Sequence, residues 1–103
     1  MRRALDSVLA QIRPVDRIIV SNNGSTDDTR AIAEEYAAAD PRIDYYEEPS
    51  IPMGEHWWKA AGRASTEWVK FVFDDDWLDD GCIAALLDLV DEDTYVAQCA
   101  ARF

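Results

Sequence analysis

Short β-branched runs alternate with amphipathic helical stretches along the 103 residues, which predicts an α/β fold: a mostly parallel sheet flanked by helices. Two further observations support it. The runs are short and continuous, as strands covered on both faces are. Two of them end directly in polar loops, Asn22 to Ser25 and Asp74 to Trp77, and in open α/β sheets ligands bind beyond the carboxyl ends of the strands. Both loops are therefore expected to open on one edge and to converge on one crevice.

Leu5, Val8, Leu9 and Ile12 recur at the spacing of one helical face, and Pro14 stops the pattern. Ile18, Ile19 and Val20 form a buried strand over Arg17 to Ser21, ended by Asn22, Asn23 and Gly24. Ser25 with Asp28 approximates a capping box for a helix running to about Ala39, with Ile32, Ala33, Tyr36 and Ala37 on one face. After Pro41, Arg42 to Tyr46 reads as a strand, Glu47 to Gly54 as a loop and Glu55 to Ala64 as a helix. Glu67 to Phe73, rich in aromatic and β-branched residues, reads as a strand. Gly81 opens a last helix whose Ile83, Leu86, Leu87 and Val90 share a face, and Thr94 to Ala100 reads as a closing strand. Residues 1–103 are thus one domain or part of one.

Ten basic residues against 21 acidic ones give a net charge of −11, which repels phosphate backbones and argues against nucleic acid as a direct partner. No apolar run approaches the roughly 18 residues of a membrane span. Asp6 interrupts the apolar stretch of the amino terminus, against a signal peptide. A cytoplasmic location, extending to the inner face of the membrane, is the expectation. Cys82 and Cys99 lack the close spacing of a zinc or redox pair and read as buried free thiols.

Asp74, Asp75 and Asp76 put three mutually repelling carboxylates on consecutive residues. A hard divalent ion such as Mg2+ or Mn2+, bound by one or two carboxylates together with phosphate oxygens, would relieve that repulsion. A solvated acidic turn before a helix is the plain alternative. Asn22 and Asn23 offer donors and acceptors suited to the edge of a nucleotide base, or else simply build a good turn. His56 reads as a surface histidine, Trp57, Trp58 and Trp68 as core or core-edge residues, Trp77 as packing under the last helix, and Lys59 and Arg63 as solvated helix charges.

The string "SVLAQIRPVDRIIVSNNGSTDDT", followed later by "EWVKFVFDDDWLDDG", resembles family 2 glycosyltransferases, with their "DDGSTDDT"-like and "DADDWLEPG"-like loops. The resemblance spans about positions 4 to 90. It implies part of a GT-A, Rossmann-like nucleotide-diphosphosugar-binding domain and a divalent ion bridging protein and diphosphate. It further implies transfer with inversion from a nucleotide sugar, most simply a UDP-sugar, to a saccharide or lipid acceptor. On this resemblance Asn23 stands where the family usually has an aspartate touching the nucleobase, with Asn22 beside it. Asp75 falls on the second aspartate of the D-x-D motif, the metal ligand, and Phe73 on the first, so that Asp74 lies nearer the ribose and Asp76 acts with Asp75 at the metal. The family's "PTYN"-like first turn and its general base have no counterpart in residues 1–103, and no catalytic residue is assigned. A non-catalytic nucleotide-sugar-binding module is the alternative. A receiver-like Mg2+ domain fits less well, because such a domain expects acids after an early strand and a lysine after a late one.

Overall fold

The computed structural model describes residues 1–98. Among these residues, four helices and two strands follow the order α1 (Arg2–Leu9), β1 (Ile18–Asn22), α2 (Thr29–Ala39), β2 (Ile43–Glu47), α3 (Met53–Gly62) and α4 (Cys82–Asp88). The described residues divide into two compact units, one formed by residues 1–15 and 72–98, the other by Asp16–Phe71.

The Asp16–Phe71 unit is built on a β-α-β crossover. β1 and β2 pair in parallel, with Ile18 opposite Ile43 and Asn22 opposite Glu47. Two backbone bonds flank the ladder: Ile18 N–H donates to the Arg42 carbonyl at 2.9 Å, and Glu48 N–H to that of Asn22 at 2.8 Å. Helix α2 packs on both strands. Its Ala33 is fully buried, and a single methyl there lets the helix axis approach the strands where Ile18 and Ile43 are buried. The N-cap of α2 is Asp28 rather than the expected Ser25. Asp27, the nearer side chain, takes the Thr29 N–H at 3.0 Å together with the Thr29 hydroxyl, while Ser25 is drawn into the preceding turn.

In the other unit α1 buries Ala4 and Leu5, and Gln11 is buried just beyond it. Because α1 ends at Leu9, the helical phase that would place Ile12 on the buried face stops short, and Ile12 is exposed. Helix α4 begins, as expected, just after Gly81.

Among the described residues, two expected strands do not form. Glu67 to Phe73 makes no ladder, and Val69, Phe71 and Phe73 are exposed. Strand preference is expressed only when the backbone finds a partner, and among the described residues the sheet consists of β1 and β2 alone. The acidic triplet therefore follows an irregular segment. Thr94 to Gln98 is likewise irregular, and the remainder of that predicted strand, with Cys99, lies outside the described residues. Cys82 is half-buried rather than buried.

Candidate functional site

The turn after β1 is fixed by its two asparagines. Asn22 is buried; its Nδ2 donates to Tyr45 Oη at 3.1 Å, and its Oδ1 accepts the Ser25 N–H at 3.0 Å. The turn so closed passes through Gly24 at φ +78, where a Cβ would come within 3.2 Å of the Ser50 backbone nitrogen. Asn23 pairs with Ile51 as one peptide pairs with another: Nδ2 donates to the Ile51 carbonyl at 2.8 Å, and Oδ1 accepts the Ile51 N–H at 3.0 Å. Each amide end keeps spare capacity, one N–H and one lone pair. The residues expected to meet a base thus also build the loop.

Next to this turn, the carboxyl end of β2 carries a buried carboxylate. Glu48 is 5% exposed and is bound by Lys59 Nζ at 2.5 Å and by Arg63 Nη2. Lys59 first and Arg63 second hold its carboxyl below the usual range, against the opposing effect of burial. Arg63 also stacks over the Tyr46 ring, 3.9 Å from its centroid, and Arg17 reaches Asp44, Tyr46 Oη and the Arg63 carbonyl. Arg63 is therefore held, half-buried, in an ion cluster rather than solvated as expected, whereas Lys59 pairs with Glu48 but keeps the exposure expected of a helix charge, its side chain 46% accessible. His56, expected at the surface, is half-buried and shares a 2.8 Å hydrogen bond with Ser21 Oγ. Trp57 and Trp58 of α3 depart from expectation in the other direction and are exposed, whereas Trp68 is half-buried, as a core-edge residue is.

The acidic triplet lies in the unit that contains α1. Asp74, Asp75 and Asp76 are all exposed, and among the described residues none of their carboxylates enters an ion pair or side-chain hydrogen bond. No group of three or more metal-capable side chains is drawn into a closed cage among the described residues. Carboxylates are hard oxygen donors, and a hard divalent cation commonly takes one or two of them and completes its shell with water and phosphate oxygens. Trp77, expected under the last helix, is exposed and covered by the Arg3 guanidinium, 3.4 Å from its ring centroid.

The segment just beyond the triplet is anchored by α1. Ser7 Oγ accepts the Leu78 N–H at 3.0 Å while donating to the Ala4 carbonyl at 2.7 Å. Gln11 Nε2 donates to the carbonyls of Asp79 at 2.8 Å and Ser7 at 3.0 Å, and its Oε1 accepts the Ile83 N–H at 3.0 Å. Ile12 N–H donates to the Asp80 carbonyl at 2.9 Å. Sequence reasoning passed over Ser7 and Gln11. The available signal was their spacing, since Ala4, Ser7 and Gln11 recur at intervals of three and four beside Leu5 and Val8.

The sequence model of the family described as "Glycosyl transferase family 2" matches residues 1–103. The chain belongs to glycosyl transferase family 2. It is similar to Glycosyltransferase GlyA of Streptococcus pneumoniae, at 31% identity over 84% of this chain and 12% of that protein. It is also similar to EpsH of Bacillus subtilis, at 33% identity over 100% of this chain and 30% of EpsH. A third relative, the GalNAc(5)-diNAcBac-PP-undecaprenol beta-1,3-glucosyltransferase of Campylobacter jejuni, is 32% identical over 89% of this chain and 30% of its own length. The chain therefore spans less than a third of each of these relatives. Among the described residues no helix is long and apolar enough to cross a membrane.

Proposed function

We propose that the chain is the nucleotide-sugar-binding part of an inverting glycosyltransferase that takes a sugar from a nucleotide diphosphate, most simply a UDP-sugar. The acceptor is a saccharide or a lipid-linked saccharide, the latter suggested by the name of the Campylobacter relative. Action on such an acceptor would place the protein at the inner face of the membrane. The observation that carries the reading is the unpaired Asp74–Asp76 triplet, followed directly by a segment that Ser7 and Gln11 anchor, in a chain of this family.

In this reading Asp75 and Asp76 hold a Mg2+ or Mn2+ ion and Asp74 faces the ribose. The ion would supply positive charge to the diphosphate, which leaves as the glycosidic bond breaks. Asn23 meets the base through the N–H and lone pair that Ile51 leaves unused, while Asn22 keeps the turn in shape through Ser25 and Tyr45. The net charge of −11 opposes the approach of an anionic diphosphate to carboxylates, and a bridging cation would offset that repulsion.

Thermal unfolding with UDP, in the presence of Mn2+ or of chelator, tests the proposal. Free UDP at a hundredfold excess over its dissociation constant stabilises the chain by about 2.7 kcal/mol when Mn2+ is present. Equal stabilisation in chelator would contradict a metal-bridged site.

A further inference from the structure

We infer that Gln11, with Ser7, is the positioning residue that sets the geometry of the acidic loop; the inference rests on the reading of Asp74–Asp76 as the metal site. Gln11 is 5% exposed, and a buried amide must find partners for both its ends. It finds them on either side of one short segment. Nε2 holds the Asp79 carbonyl and Oε1 holds the Ile83 N–H. Ile83 is the second residue of α4, and its N–H is one of the four that a helix start leaves without an internal partner. The N-cap residue, Gly81, has no side chain with which to satisfy that group. Gln11 supplies the missing cap from a distant part of the chain.

The Asp79 carbonyl also accepts the Cys82 N–H at 2.9 Å, so the turn that starts α4 and the Gln11 anchor share one atom. Leu78, two residues after Asp76, is held by Ser7, and Asp80 by the Ile12 N–H. Three consecutive residues, Leu78 to Asp80, are thus fastened to α1 and the turn after it, while the preceding triplet keeps its carboxylates unpaired. None of these bonds is made to the triplet itself, so their effect on an ion would pass through the backbone of Leu78 to Asp80, and the loss of about 10- to 100-fold that follows removal of a ligand's direct hydrogen-bond partner is its upper range.

Calorimetric titration of Mn2+ in the presence of UDP compares the parent chain with Gln11→Met, Ser7→Ala and Asp75→Asn. Met fills the volume of Gln11 without its donors or acceptor. The expected result is binding weakened about tenfold or more in Gln11→Met, with Asp75→Asn weaker still. Amide exchange is expected to rise at Leu78 and Ile83 and to stay unchanged at Val20 and Tyr45. Parent-like Mn2+ affinity in folded Gln11→Met overturns the inference, as does exchange raised uniformly along the chain, the mark of a merely structural residue. If Gln11→Met does not fold, Ser7→Ala decides: weakened Mn2+ binding with faster exchange at Leu78 supports the inference, and parent-like binding overturns it. If the parent binds no Mn2+, or Asp75→Asn binds as the parent does, the metal reading itself fails and takes the inference with it. That pattern differs from failure of Gln11 alone, in which Asp75→Asn still loses the ion.

Discussion

Asn23→Asp puts the aspartate usual in this family at a position where the chain has an amide, and the structure sets its consequence. Asn23 makes two hydrogen bonds with the Ile51 backbone, one in each direction. A carboxylate keeps the bond from the Ile51 N–H and strengthens it, but it loses the donor to the Ile51 carbonyl and sets two acceptors face to face. One hydrogen bond contributes about 0.5–1.5 kcal/mol net, and leaving a partly buried acceptor unmatched costs about 1–3 kcal/mol. With partial recovery through the charged bond, the variant should be about 1–3 kcal/mol less stable at pH 7. The sign with pH follows from the raised folded-state pKa expected of a carboxyl facing a carbonyl. Its neutral form carries a donor hydroxyl, so the deficit is smallest below the unfolded value of about 3.9 and grows as pH rises through the folded one. Urea unfolding at pH 3.5 and pH 7 measures both effects. Equal stability of variant and parent at both pH values would refute the peptide-like pairing of Asn23 with Ile51.

Other perturbations probe the same framework. Gly24→Ala should cost about 1–2 kcal/mol in denaturant unfolding, because φ is +78 and the added Cβ meets the Ser50 backbone at 3.2 Å. Ala33→Leu, at a residue with no exposure, should cost about 1–3 kcal/mol by overpacking α2 against the strands, read as a lowered Tm. Glu48 has a depressed folded-state pKa, so the stability it contributes is present above its ordinary value of 4.5 and is lost as pH falls through the folded value. Glu48→Gln should therefore flatten the acid limb of a Tm-against-pH profile, and an unchanged limb would remove the Lys59–Glu48–Arg63 cluster from the account.

The β1–α2–β2 crossover was legible because its signals are local. Ile18 to Val20 can scarcely be anything but a strand, and Asn22 to Gly24 can scarcely continue it. The segment from Glu67 to Phe73 carries equally strong strand preference, yet pairing is a property of two segments and a single one cannot announce it. The acidic loop was visible as charge, three acids in a row, whereas its anchors were not. Gln11 and Ser7 read as ordinary polar residues, since their value depends on Leu78, Asp79 and Ile83 some seventy residues away. The same holds for Glu48, which lies in a stretch that reads only as a loop but is buried between Lys59 and Arg63. Ion clusters and buried caps join parts of the chain that periodicity treats separately.

The central claim is that the acidic loop holds a divalent cation through Asp75, and titration of Mn2+ in the presence of UDP into Asp75→Asn and Asp80→Asn tests it most directly. Both positions are exposed, so neither substitution should disturb folding, and circular dichroism verifies that. Asn keeps the size of Asp but removes the charge that a hard cation requires. The account predicts that Asp75→Asn weakens Mn2+ binding by more than about tenfold while Asp80→Asn binds as the parent does. Parent-like affinity in Asp75→Asn together with lost binding in Asp80→Asn would contradict it and move the ligand further along the loop.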